Sequence, residues 1–163
     1  MRAIIPSANL VATADEMSQF FQLLLNGGTL NGIRIFDPVT VQHAVSESRK
    51  MWFDGTMIIP MRYSAGLMLG ADPVGLWGPY SGSAFGHVGF INIFCWADPK
   101  REIAVSLQTT GKSLIGPHLW PLAKLLAAIG RHCSMNFGDK NQDPTFSYAW
   151  PIQKILRRVL LDS

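Results

Sequence analysis

The chain has 163 residues, which is the size of one compact domain. Hydrophobic residues make up 48% of it and charged residues 15%, so disorder along the whole chain is excluded. The net charge of +3 is small, and the basic residues are scattered except for Lys154, Arg157 and Arg158. This pattern argues against a nucleic-acid-binding protein, which needs a basic stripe with interleaved aromatic residues.

Membrane and metal functions find no support in the sequence. No run approaches 18 consecutive apolar residues, and Pro6 interrupts the start too soon for a secretory signal. We therefore expect no membrane association and, by default, a cytoplasmic location. Cys95 and Cys133 lack metal-ligand spacing, and so do three of the histidines: His43, His118 and His132. We expect no metal and no cofactor.

The first predicted element is a helix that begins at Thr13. Thr13 and Glu16 match the capping box, in which each side chain pairs with an otherwise unsatisfied backbone N–H. Apolar residues then recur at helical spacing: Met17, Phe20, Phe21, Leu24 and Leu25. Asn26-Gly27-Gly28 ends this helix, because glycine adopts the left-handed C-terminal conformation easily.

Short elements follow in the next 60 residues. Asn31-Gly32 predicts a tight turn between two extended pieces within residues 30–36. Asp37-Pro38 predicts the start of a helix that runs to about Val45. Residues from Tyr63 to Leu69 predict a strand, and the glycine- and proline-rich residues 72–83 predict a loop.

The later part of the chain is β-rich and then helical. Strands are predicted from Phe90 to Ala97 and from Ile103 to Thr109, joined by the polar turn Asp98-Pro99-Lys100-Arg101. A last helix is predicted from Gly116-Pro117 to about Gly130. The order predicts an α+β domain over residues 1–131, followed over residues 132–163 by a polar linker and an amphipathic extension.

Two segments carry a family resemblance. Residues 9–28 contain Leu10-Val11-Ala12-Thr13-Ala14-Asp15 and later Leu24-Leu25-Asn26-Gly27-Gly28, and residues 85–107 contain Gly86-His87-Val88-Gly89 followed by Ala97-Asp98-Pro99. In this order they resemble the C-terminal part of β-lactamase-related serine hydrolases: class C β-lactamases, family VIII esterases and LACTB-like proteins. The resemblance implies an antiparallel sheet with flanking helices, as a partial fold that lacks the N-terminal helix and strands. It also implies that the Thr13 helix lies in an all-α subdomain.

The resemblance also assigns candidate site residues. His87-Val88-Gly89 is similar to the family's H-x-G motif on a sheet-edge strand. It implies that His87 supplies a hydrogen bond or partial positive charge, and that Gly89 lets substrate approach the backbone. The N–H of Phe90 would then be one donor to the oxyanion.

The motifs that carry the nucleophile are absent from this sequence. No serine has a lysine three residues later, as S-x-x-K requires, and Tyr80-Ser81-Gly82 lacks the asparagine of Y-x-N. Ser7-Ala8-Asn9 has the letters of S-x-N but precedes the Thr13 helix, which argues for coincidence. Whether the chain is an enzyme therefore stays open.

Three functions remain open. The chain is a fragment or subunit of a serine hydrolase that acts on esters, amides or β-lactams and is inactive alone. Alternatively, it is a non-catalytic binding module derived from the same fold, or an unrelated small α+β protein. In the first two cases the strand from Ile103 to Thr109 would expose an apolar edge. A complementing polypeptide or a homo-oligomer is expected to cover it.

Overall fold

The computed structural model describes residues 10–89, 93–109 and 116–133. Within these residues the chain forms three helices, α1 (Ala14–Leu25), α2 (Pro38–Val45) and α3 (Leu119–His132). The first four strands are β1 (Thr29–Leu30), β2 (Ile33–Arg34), β3 (Arg49–Asp54) and β4 (Ile59–Tyr63). The later strands are β5 (Met68–Leu69), β6 (Val74–Gly75), β7 (Gly78–Pro79), β8 (Phe85–Gly89), β9 (Ile93–Asp98) and β10 (Ile103–Leu107).

Six of these strands form one antiparallel sheet in the order β10-β9-β8-β5-β4-β3. Every neighbouring pair runs antiparallel, with Ser106 opposite Cys95 and Cys95 opposite His87. Side chains alternate between the two faces of a strand, so these three residues share one face of the sheet. The pairs β1–β2 and β6–β7 form two separate hairpins.

Helices α1 and α2 cover the face that carries Cys95. Thr13 and Glu16 form the predicted capping box, with Thr13 N donating to Glu16 Oε2 at 2.7 Å. The apolar side of α1 then packs against β9 and β10. The core on this face comprises Phe21, Leu24, Val41, Leu69, Phe85, Cys95 and Ala97. The implied position of this helix in an all-α subdomain is therefore wrong: its apolar stripe is buried directly on the sheet.

Helix α3 covers the opposite face. Leu126 and Ile129 are buried there together with strand residues and with Trp77 from the β6–β7 hairpin. Trp77 stacks on Trp96 with ring centroids 5.6 Å apart and meets Phe94 edge-on at 6.4 Å. These aromatic contacts explain how a glycine- and proline-rich segment is held in place.

The structure corrects the predicted strand from Tyr63 to Leu69. β4 ends at Tyr63 and β5 begins at Met68, and the chain reverses between them. The turn is stabilised by Ser64, whose Oγ accepts from Leu67 N at 2.9 Å. The predicted strand from Phe90 to Ala97 is also displaced, since β9 begins at Ile93 and Gly86 to Gly89 belong to β8.

Other predicted elements are confirmed. The Asn31-Gly32 turn joins β1 to β2, and α2 begins at Pro38 and ends at Val45. The polar turn after Asp98 joins β9 to β10. The α+β class with an antiparallel sheet and flanking helices is thus the observed architecture. The proposed extension over residues 132–163 lies almost wholly outside the described residues, and the domain division stays a prediction.

An ion pair between Asp98 and Arg101 joins three parts of the fold. Arg101 Nη1 lies 2.5 Å from Asp98 Oδ2, and these two side chains are only 12% and 2% exposed. The same guanidinium donates to three backbone carbonyls, those of Pro79, Tyr80 and Gly130. It therefore fastens the β9–β10 turn to the end of β7, to the residue that follows β7, and to the last turn of α3.

A phenol in the β3–β4 hairpin provides a pH-dependent test of the fold. Tyr63 donates its hydroxyl hydrogen to Asp54, and burial together with this bond raises the pKa of Tyr63 from 10.0 to about 12. Because the folded-state pKa is raised, the stabilisation is fully present below pH 10 and is lost as the pH rises to about 12. We expect thermal stability to fall more steeply over this range than in Tyr63→Phe. Parallel pH profiles of the two proteins would contradict this assignment.

Candidate functional site

Strand β8 carries the Gly86-His87-Val88-Gly89 sequence and lies inside the sheet between β5 and β9, so the sheet-edge position implied by the resemblance is wrong. Gly86 is required by packing: a Cβ at this position would lie 2.2 Å from the Cys95 carbonyl oxygen and 2.5 Å from Trp96 Cβ. The absence of a side chain at Gly86 therefore lets β8 and β9 lie at normal sheet spacing. This fixes the place of the next residue, His87.

His87 is exposed on the face that also carries α1 and α2. Its ring nitrogen Nδ1 lies 2.9 Å from the carbonyl oxygen of Val88. Gly89 follows on the same face at the end of the strand, where a Cβ would approach Ile93 Cβ to 3.1 Å. His87 and Gly89 are thus brought together at one end of β8, whereas Phe90 lies outside the described residues.

Cys95 is the nearest potential nucleophile in the strand register, since it lies directly opposite His87. Its side chain is buried, and its Sγ lies 3.3 Å from Ser106 Oγ on β10. Burial raises the pKa of the Cys95 thiol, which keeps it protonated at neutral pH. Cys95 therefore serves as a packed core residue and does not replace a catalytic serine.

The beginning of α1 lies at the same end of the sheet as Gly89. Gln108, just after β10, donates from Nε2 to the carbonyl of Ala12 at 3.5 Å. The first turn of α1 carries Asp15 and Glu16, and hydrogen bonds from Thr13 lower the pKa of Glu16. The charged groups that the described part of α1 brings to this end are therefore acidic.

The hydroxyl groups around Tyr80-Ser81-Gly82, the segment that lacks the asparagine of Y-x-N, have structural partners. Ser81 is buried, and its Oγ donates to the Gly78 carbonyl at 2.8 Å. Ser83 Oγ donates to Asp98 Oδ1 at 2.7 Å. Neither hydroxyl has a lysine amine beside it in the described structure, so neither has the base that an acyl-transfer nucleophile needs.

Two arginines that organise the surroundings of β8 were not anticipated. Arg62 forms a paired contact with Glu47, at 3.0 and 2.9 Å, and donates to the carbonyls of Gly70 and Gly82. Arg101 ties the opposite face together through Asp98. Opposite charges three residues apart were visible at Asp98 and Arg101, but the long-range carbonyl partners had no sequence signal.

The residues that the structure describes contain neither a metal-ligand cluster nor a helix able to span a membrane. They contain no group of three or more His, Cys, Asp or Glu side chains placed to hold a metal ion. Across the same part of the chain, no helix has both the length and the apolar character needed to cross a bilayer.

Comparisons with known proteins agree with the geometry of the sheet. The family model described as Beta-lactamase matches residues 1–128. Among curated proteins, the chain is 31% identical over 105 residues to the "Esterase/beta-lactamase LipL" of Mycobacterium tuberculosis. That match covers 64% of this chain and 23% of the relative.

Two solved structures share this fold. A penicillin-binding protein homologue from Caulobacter crescentus is 25% identical with a TM-score of 0.55, over 62% of this chain and 26% of that one. A family VIII carboxylesterase is 25% identical with a TM-score of 0.53, over 72% of this chain and 30% of that one. The chain thus spans between a quarter and a third of the structures it resembles. Because the family model covers most of its residues, the chain belongs to the β-lactamase-related serine hydrolase family.

Proposed function

We propose that this chain forms one wall of an acyl-transfer site and depends on a separate polypeptide segment for its nucleophile. The observation that supports this proposal most strongly is that His87 is exposed beside Gly89 at the end of β8. The same chain contains neither S-x-x-K nor Y-x-N. The reaction would be hydrolysis of an ester, amide or β-lactam. The chain by itself would be inactive.

The chemistry of this wall follows from what a serine hydrolase must stabilise. Attack on a carbonyl places negative charge on its oxygen, and a backbone N–H beyond Gly89 would donate to that oxygen. A glycine at the strand end leaves room for the acyl group against the backbone. His87 would contact the substrate from the same face, while serine and its base would come from the separate polypeptide segment.

A partner surface is part of the same proposal. β10 lies at one edge of the six-stranded sheet among the described strands, so it offers a row of backbone groups for pairing. Large apolar side chains are also exposed, with Trp120 70% and Phe53 57% accessible. The structural neighbours are more than three times longer than the shared region. We therefore propose that β10 pairs with a complementing polypeptide that supplies the rest of the fold.

Complementation tests this function directly. The chain is mixed with the part of the mycobacterial relative that precedes the shared region, and hydrolysis of p-nitrophenyl butyrate and a chromogenic cephalosporin is followed. We expect turnover well above the sum of the separate polypeptides. His87→Ala should lower it by about tenfold or more, because a group that contacts the reacting substrate is lost.

The controls separate the two remaining functions. Lys100→Ala changes an exposed residue in the β9–β10 turn and should leave turnover unchanged. Turnover that persists in His87→Ala would contradict the proposed wall. A stable complex without turnover of either substrate would favour a non-catalytic binding module. Self-association that excludes the second polypeptide would show that β10 pairs with another copy of this chain.

A further inference from the structure

The hydrogen bond of the His87 ring fixes which nitrogen carries a proton. A carbonyl oxygen only accepts, so Nδ1 must be the donor in its 2.9 Å contact with Val88 O. In the neutral imidazole the other nitrogen, Nε2, then has a free lone pair. His87 therefore presents an acceptor to whatever binds against the exposed face of β8.

Among the residues that the structure describes, the surroundings of His87 contain little to attract a negatively charged ligand. Its strand partner Cys95 is a protonated thiol, and Phe85 on the same face is buried. In the described part of the chain no carboxylate forms an ion pair with the His87 ring. The start of α1 adds the negative charges of Asp15 and Glu16 at this end of the sheet.

We infer that His87 selects an uncharged, hydrogen-bond-donating group of the ligand and disfavours a carboxylate. This inference rests on the proposed function, since it assigns a specificity role within the same wall. A lysine at this position would present a cation and donors only, which would favour a carboxylate. The Nδ1–Val88 bond gives His87 the opposite character: Nε2 accepts from an amide N–H or a hydroxyl.

Nitrogen NMR of the histidine-labelled chain tests the tautomer without requiring catalysis. Spectra of the chain and of His87→Gln are compared at pH 8 to assign the His87 signals. We expect Nδ1 to have the chemical shift of a protonated nitrogen and Nε2 that of an unprotonated one. A proton on Nε2, or on both nitrogens, at this pH would overturn the inference.

A matched pair of small ligands tests the selectivity. Benzamide and benzoate have the same ring and nearly the same shape, but one offers N–H donors and the other a carboxylate. Titration of the chain with each, followed through the His87 ring signals, should give at least about fivefold tighter binding of benzamide, since only benzamide can donate to Nε2. Equal or tighter binding of benzoate would contradict the assignment.

Two variants at the same exposed position separate the acceptor from the ring. Gln places an amide oxygen near the position of Nε2, so His87→Gln should retain the preference for benzamide. His87→Lys should reverse the preference toward benzoate. The preference remaining unchanged in His87→Lys would show that another residue determines it. Because these readouts need no nucleophile, they stand apart from the complementation test, whose failure would leave the selectivity result intact.

Discussion

Replacement of Arg101 by methionine is expected to lower the free energy of unfolding by about 3–5 kcal/mol, the usual cost of leaving a buried charge without its partner. Asp98 would keep its bonds from Ser83 and Lys100 N but would lose the guanidinium. The carbonyls of Pro79, Tyr80 and Gly130 would lose a donor at the same time. Urea unfolding followed by tryptophan fluorescence measures the loss, because Trp77 and Trp96 lie in the adjacent core.

Lys100→Met is the matched control for this prediction. Lys100 is the exposed neighbour of Arg101 in the same turn, so the substitution removes a positive charge and leaves the contacts of Arg101 in place. We expect a change within about 0.5 kcal/mol, as for most surface substitutions. A loss below about 1 kcal/mol in Arg101→Met would show that the three joined segments are held by other contacts.

Replacement of Gly86 by alanine is expected to destabilise the protein by at least about 3 kcal/mol, at the upper end for overpacked cores. The added Cβ would lie 2.2 Å from the Cys95 carbonyl oxygen and 2.7 Å from Trp96 Cα. Both atoms belong to the β9 backbone, so relief would require β8 and β9 to separate. The substitution should therefore also disturb His87, and the His87 ring signals should broaden or shift with the loss of stability.

Gly66→Ala provides the comparison for Gly86→Ala. Gly66 lies in the turn between β4 and β5, and a Cβ there would meet no atom within 4 Å. The stability should change by less than about 1 kcal/mol, and it would rise if alanine restricts the unfolded chain. Equal effects of the two substitutions would contradict the packing role of Gly86.

The elements that could be predicted from the sequence are those determined by local chemistry. The capping box at Thr13 and Glu16 and the glycine after Asn26 define α1 within its own residues. The Asn31-Gly32 and Asp98-Pro99 turns likewise specify their hairpins through backbone conformation. These signals need no information about distant parts of the chain.

The β3–β4 hairpin and the reversal after Tyr63 could not be predicted in the same way. Met51, Trp52 and Phe53 are all exposed, so this part of β3 shows no alternation of buried and exposed residues. The turn between β4 and β5 depends on the hydrogen bond from Leu67 N to Ser64 Oγ. This local bond favours a turn where the apolar residues up to Leu69 predict a continuous strand. The packing of α1 on β9 and β10 is a tertiary contact that helical periodicity alone does not specify.

The resemblance of His87-Val88-Gly89 to H-x-G identifies the candidate site, and neither residue spacing nor charge does so. A histidine between glycines has many structural explanations, and only its exposed place on β8 makes it available to a ligand. The Nδ1 contact with Val88 was not predictable, because it depends on the rotamer of a single side chain. Arg62 and Arg101, which hold the neighbouring loops, are recognisable only once their carbonyl partners are placed.

The proposed dependence on a second polypeptide for the nucleophile is tested most directly with a fluorophosphonate probe, which bonds covalently to activated serines. The native chain and a sample denatured by heat beforehand are each incubated with the probe at pH 7.5, and the intact mass of each is then measured. We predict no added mass under either condition, because no serine has a lysine three residues later. One probe molecule on each native chain and none on the previously denatured chain would show an activated serine in this polypeptide and contradict the proposed dependence on a second one.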